Sequence, residues 1–155
     1  MLGHIKKRDI AAGQFNFGER IALGRILREK DVPDIERTKQ IIECLHDKKI
    51  STLQALRLLP YAIEVTKAFV AWIEREEKEC TVPPLDEAKR AGIDTLAQNC
   101  GDMASVVDFA ERFGWSFEQV YKMPYMDVFT IWKIDAERGK YQRRLQNILQ
   151  SKKAK

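Results

Sequence analysis

A chain of 155 residues, 45% apolar and 32% charged, is long enough to bury one hydrophobic core and too short for several. Its three cysteines, Cys44, Cys80 and Cys100, are too few and too scattered for a disulfide framework or a paired-cysteine metal site. No apolar run approaches the roughly 18–20 residues that cross a bilayer, and the opening M-L-G-H-I-K-K-R-D has no apolar signal region behind its charges, so a reducing cytoplasm is the expected setting.

The first fifteen residues read as a loose arm or short turn, with Ile5 and Ile10 isolated among charges. Asn16, three residues before Glu19, has capping-box spacing and predicts a helix over 17–30. Asp31-Val32-Pro33 ends it, and Pro33 suits the first turn of a second helix reaching residue 46. Ser51 or Thr52 caps a short helix through Leu59, and Pro60 either kinks that helix or begins another. From Tyr61 the apolar coverage widens as in a central helix, ending in the charge run Glu74–Glu79, read as solvated.

Thr81-Val82-Pro83-Pro84 is the clearest boundary. It divides one domain, 1–155, into two helical halves, 16–80 and 84–152. Asp86 or Pro84 starts a helix through Leu96 with Gly92 as its weak point, and Asp102 caps the next, which Gly114 closes. Ser116 and Gln119 form a second capping box, and Pro124 opens the final helix. Strand alternation and solenoid repeats are both lacking. The fold class is therefore all-α: a single domain of six or seven helices with a long C-terminal helix.

That last helix carries two apolar stripes at 100° per residue. Tyr125, Val128, Phe129, Trp132 and Ala136 make one; Ile131, Ile134, Tyr141, Leu145 and Ile148 make another, roughly opposite. If continuous it spans about 40 Å. Either Gly139 breaks it, so that both stripes fold onto one core, or the second stripe awaits another subunit or a client helix. Phe113, Trp115, Val120 and Trp132 read as core.

Charge is uneven. After Glu137 come seven basic residues (Arg138, Lys140, Arg143, Arg144, Lys152, Lys153, Lys155) and no acidic one, while the first 137 residues hold the other 20 Lys and Arg against all 23 Asp and Glu. This segment either complements the helix macrodipole or meets an acidic protein or phosphate. Nucleic acid binding through Arg138, Lys140, Tyr141, Arg143 and Arg144 is the main alternative function.

Catalytic motifs are missing. His4 and His46 lie far apart, and no HExxH, GxGxxG, phosphate-binding loop or G-x-S-x-G is present. The expectation is a protein that is no enzyme, with no metal and no cofactor.

The segment Phe113-Gly114-Trp115-Ser116, followed by Val120, Met123-Pro124 and Asp127-Val128-Phe129, resembles the closing part of phage tail assembly proteins of the tail assembly chaperone type. The resemblance covers the final third well and the rest in outline. It implies a non-enzymatic cytoplasmic protein of phage or prophage that binds the helical tape-measure protein, or the tail-tube protein, during tail assembly. It also implies a second, longer product made by frameshifting near the end of the shorter one, with which Lys152-Lys153 is compatible. A structural tail or head component of the same phage is a third reading. On helical geometry, the partner-binding residues would be Ile131, Ile134, Tyr141, Leu145 and Ile148, framed by Arg138, Arg143 and Arg144. Self-association through the same face is a further expectation.

Overall fold

Asn16 accepts a hydrogen bond from the Glu19 amide and Glu19 returns one to the Asn16 amide, so α1 (Phe17–Arg28) begins with the expected box. The structure is a computed structural model describing residues 5–153, with side chains through Ser151; His4 and the side chains of Lys152, Lys153 and Lys155 lie outside the described residues. Then follow α2 (Asp34–His46), α3 (Thr52–Glu79), α4 (Asp86–Arg90), α5 (Ile93–Cys100), α6 (Asp102–Phe113), α7 (Phe117–Tyr121) and α8 (Tyr125–Lys153). The architecture is all-α, with a long C-terminal helix. Ser51 with Gln54 and Ser116 with Gln119 complete two more capping boxes.

The helix count differs from expectation at two places. Pro60 lies inside α3, which runs unbroken for 28 residues. Its ring is on the exposed side, and the Leu56 carbonyl that loses an amide partner belongs to an exposed residue, so water can satisfy it. Gly92, by contrast, takes a left-handed φ of +87° and divides the helix expected beyond Pro84 into α4 and α5.

Two buried clusters share two helices. The first gathers Leu23, Ile41, Ile42, Leu45, Val65, Phe69, Trp72 and Phe129, among others, between α1, α2, α3 and α8. The second holds Phe17, Val106, Phe109, Val120, Met123 and Val128 between α1, α6, α7 and α8. α1 and α8 thus face both. Their starts are stitched together at an isolated antiparallel bridge, Asn16 to Pro124. The Phe17 amide donates to the Met123 carbonyl at 2.9 Å, and the Tyr125 amide to the Phe15 carbonyl at 3.0 Å.

The N-terminal arm is not loose. Ile10 and Phe15 are buried, and the Trp72 indole donates to the Ile10 carbonyl at 2.9 Å. The Arg8 guanidinium reaches both Glu19 carboxylate oxygens at 2.6 and 2.8 Å and the Leu45 carbonyl at 2.7 Å. Gly13 lets the arm lie against α8: a β-carbon there would stand 2.6 Å from the Met126 sulfur. These anchors join residues far apart in the chain, so no local pattern announces them.

Glu76, placed by sequence in a solvated run, is 8% exposed. It lies four residues after Trp72 and seven after Phe69, on the core side of α3. The Arg20 guanidinium grips it through two bonds of 3.1 and 2.5 Å, and the Tyr125 hydroxyl donates to it at 2.7 Å. Arg20 also donates to Asp102 at 2.7 Å. Asp102 therefore does not cap α6 with its side chain, as expected, but pairs with Arg20 and Arg28. Burial opposes the Arg20 charge, yet its bonds to Glu76 and the charges of Glu76 and Asp102 outweigh that and hold its pKa above the ordinary value. Burial, then the bond to Glu76, pushes the Tyr125 phenol up, so it stays a donor.

Removing one member of a buried pair strands the other. Glu76→Ala is expected to lower the unfolding free energy by about 3–5 kcal/mol in urea titration. Replacing the group together (Arg20→Met, Glu76→Leu, Tyr125→Phe) should restore much of that loss.

Candidate partner-binding surface

α8 runs 29 residues, about 43 Å at 1.5 Å per residue. Gly139 does not break it. A glycine inside a helix costs roughly 1 kcal/mol relative to alanine, and the linker packs over this one: a β-carbon at Gly139 would be in ordinary contact with Val82 at 3.5 Å. One turn further on, the Arg143 guanidinium donates to the Pro83 carbonyl. The segment between the two halves is thus strapped along the inner side of α8.

The two stripes separate as their geometry predicts. Tyr125, Val128, Phe129 and Ala136 are buried, and Trp132 packs half-buried against the second cluster. On the other side Ile134, Tyr141, Leu145 and Ile148 are 45%, 58%, 40% and 53% exposed. Ile131 departs from this set, because it lies half-buried beside the second cluster. The helix continues past the body, and every described residue from Arg144 to Ser151 is exposed.

Beside the stripe, α3 and α8 form an open groove of about 650 Å³, lined by Met126, Phe129, Ile134 and Tyr141 with Arg75 and Lys133 among its charged residues. Glu79 fixes those two cations, accepting from Arg75 and from Lys133 at 2.8 Å each. The Lys133 bond first, and the Arg75 bond next, draw the Glu79 carboxyl down to about 2. Its folded value lies below the unfolded one, so any stabilisation is present above the ordinary carboxylate range and is lost as pH falls towards 2.

The basic residues do not make one track. At 100° per residue Lys140, Arg143 and Arg144 fall within an arc of about 100°, with Arg138 on the other side of α8. Arg138 lies 3.9 Å from Asp135, and Lys140 donates to Glu137 at 2.8 Å. Arg143 holds the linker, and Arg144 is exposed.

A second apolar area was missed by sequence reasoning. Phe113 and Trp115, expected in the core, are exposed, as is Phe117. The helix ends at Phe113, and the left-handed turn at Gly114 sends the chain outward. Phe109 is fully buried; Phe113 stacks on it at 6.0 Å and Trp115 tilts against Phe113 at 4.9 Å, forming an aromatic corner. The signal available was the F-G-W-S-F string, three aromatics in five residues around a helix stop. On α4 and α5 no residue is buried, and Ile93 and Leu96 are exposed.

Among the described residues no group of three or more His, Cys, Asp and Glu is placed to hold a metal ion, and no helix is long and apolar enough to cross a membrane. His46 meets the Tyr61 hydroxyl at 3.3 Å, and its pKa is lowered, first by burial and then by Arg8. Burial pushes the Cys44 and Cys80 thiols up to about 11.

No family model, curated protein or solved structure matches the chain. Its surface chemistry must therefore speak for it.

Two outcomes follow from this surface. Leu145→Lys and Ile148→Lys are each expected to change unfolding free energy by no more than about 0.5 kcal/mol, whereas Phe129→Ala on the opposite stripe costs about 3–5 kcal/mol. Under native conditions near neutral pH, an alkylating reagent should modify exposed Cys100 quickly and Cys44 and Cys80 slowly, with all three equally reactive in denaturant, as intact mass reports.

Proposed function

We propose that the protein is a non-enzymatic assembly factor that holds an amphipathic helix of another protein against the outer stripe of α8. The observation that carries this reading is the exposure of Ile134, Tyr141, Leu145 and Ile148 along a helix whose other side is already committed to the core. Fully burying one Ile or Leu is worth about 1.5–3 kcal/mol, so three such positions together with Tyr141 offer a helix-binding site. The groove beside Ile134 and Tyr141, with its fixed Arg75 and Lys133, adds an apolar floor and a cationic rim suited to a client with acidic flanks.

Together with the resemblance of residues 113–129 to tail assembly chaperones, this supports a role in phage or prophage tail assembly, acting in the host cytoplasm on the long helical tape-measure protein. The nucleic acid reading is weaker. Arg138 stands apart from the other three cations, and Arg138, Lys140 and Arg143 are engaged with Asp135, Glu137 and the Pro83 carbonyl. A phosphate-tracking face needs several free cations on one side.

The test is co-purification with an amphipathic tape-measure segment. Leu145→Asp or Ile148→Asp should weaken capture at least tenfold, about 1.4 kcal/mol, with helical circular dichroism unchanged. Wild-type protein that captures no such segment sinks the reading. Salt-dependent binding to arbitrary DNA, lost when Arg143 and Arg144 become Glu, would replace it with the nucleic acid reading.

A further inference from the structure

The outer residues of α8, with half-buried Ile131 at their head, have a stricter order than a helix face requires. Ile131, Ile134, Arg138, Tyr141, Leu145 and Ile148 succeed one another at steps of three, four, three, four and three. That alternation keeps a seam facing one partner helix in a left-handed coiled coil. With Ile131, Arg138 and Leu145 as a positions and Ile134, Tyr141 and Ile148 as d positions, Glu137 and Arg144 fall at g, and Asp135 and Gln142 at e. The early part of the seam has acidic flanks, Asp135 held by Arg112 and Glu137 touching Lys140, and the later part has a basic one in Arg144.

This distribution selects both the occupant and its direction. In a parallel pair of α8 helices, a positions meet a positions, so Arg138 would oppose the partner's Arg138 inside the seam. In an antiparallel pair, a meets d. Arg138 then lies against the partner's Tyr141, where a guanidinium over a phenol ring is favourable. Ile134 meets the partner's Leu145, and the partner's Ile148 reaches half-buried Ile131 at the end of the seam. Glu137 flanks the partner's Arg144, and symmetry repeats that pair. The core-facing stripe is roughly opposite the seam, so the core of each body lies on the outer side, with Arg112 of α6 reaching the seam's edge at Asp135.

We infer that a second copy of this chain packs antiparallel along α8, centred between Arg138 and Tyr141. The inference rests on the reading of the stripe as a protein-binding surface and deepens it: the free protein covers its own stripe, and a client helix must displace the second copy. The seam is only about two and a half heptads long, so the dimer is reversible and dissociates on dilution.

Sedimentation velocity of the full chain across the micromolar range tests it. The expected result is a concentration-dependent monomer–dimer equilibrium. Glu137→Arg and Arg144→Glu should each weaken the dimer about tenfold through like-charge contacts, and combining both swaps in one chain should restore it. Those positions are two turns apart on one helix and do not pair within a chain, so rescue reports contact between copies. In a Cys100→Ser background, Ile134→Cys and Leu145→Cys proteins should form disulfide-linked dimers when mixed and not when oxidised separately. A monomer at every concentration overturns the inference, as does absent rescue or cross-linking of either cysteine variant with itself. A monomer that still captures a tape-measure helix leaves the proposed function standing; a dimer that captures none removes that function and leaves the pairing.

Discussion

The carboxylate of Glu76 is the point on which the two helical halves depend. It comes from α3 in the first half, and its partners come from α1 and from the start of α8. Through Arg20 it is tied to Asp102 at the head of α6 in the second half. An ion pair this enclosed gains little over an apolar replacement, but it penalises any arrangement that parts its members. It lies where the first cluster meets the second, with Arg20 5.8 Å from the Trp132 ring. The halves are thereby held in one mutual orientation, which apolar packing alone would specify less tightly.

That orientation gives α8 its double character. Near its start, Tyr125 and Phe129 enter one cluster and Val128 the other, so the helix is fixed on two sides. Its outward stripe then rests on a rigid base. Pre-positioning of this sort reduces the ordering cost of association. The linker completes the arrangement by covering the inner side, with the Val82 side chain over Gly139 and the Pro83 carbonyl at Arg143.

Much of this was legible because it is local. The capping boxes at Asn16 and Ser116 are short spacings of residue types that satisfy particular amides, and both form as read; of the two candidate caps Ser51 and Thr52, it is Ser51 that caps α3. The two stripes of α8 were legible because periodicity survives whatever the rest of the chain does. What escaped was set by distant partners. Glu76 is one of four glutamates between residues 74 and 79, and composition hides which of them faces inward. Arg8 and Ile10 look like surface residues until Glu19, Leu45 and Trp72 are brought to them. Phe113 and Trp115 misled in the other direction: their hydrophobicity suggested interior, but a left-handed turn at a helix end decides where a side chain goes. The order of charges flanking the α8 seam was readable from the start, yet it acquires meaning only once the inner stripe is known to be occupied.

The strap formed by Val82 and Pro83 has a consequence for how the chain can vary. It marks the last place where α8 is braced by its own protein; beyond it the remaining turns contribute almost nothing to keeping the body folded. Substitutions there escape the purge that removes unstable proteins. Selection on that stretch can then act through what the helix touches outside itself, so it is free to track a changing associate while the braced portion upstream stays constant.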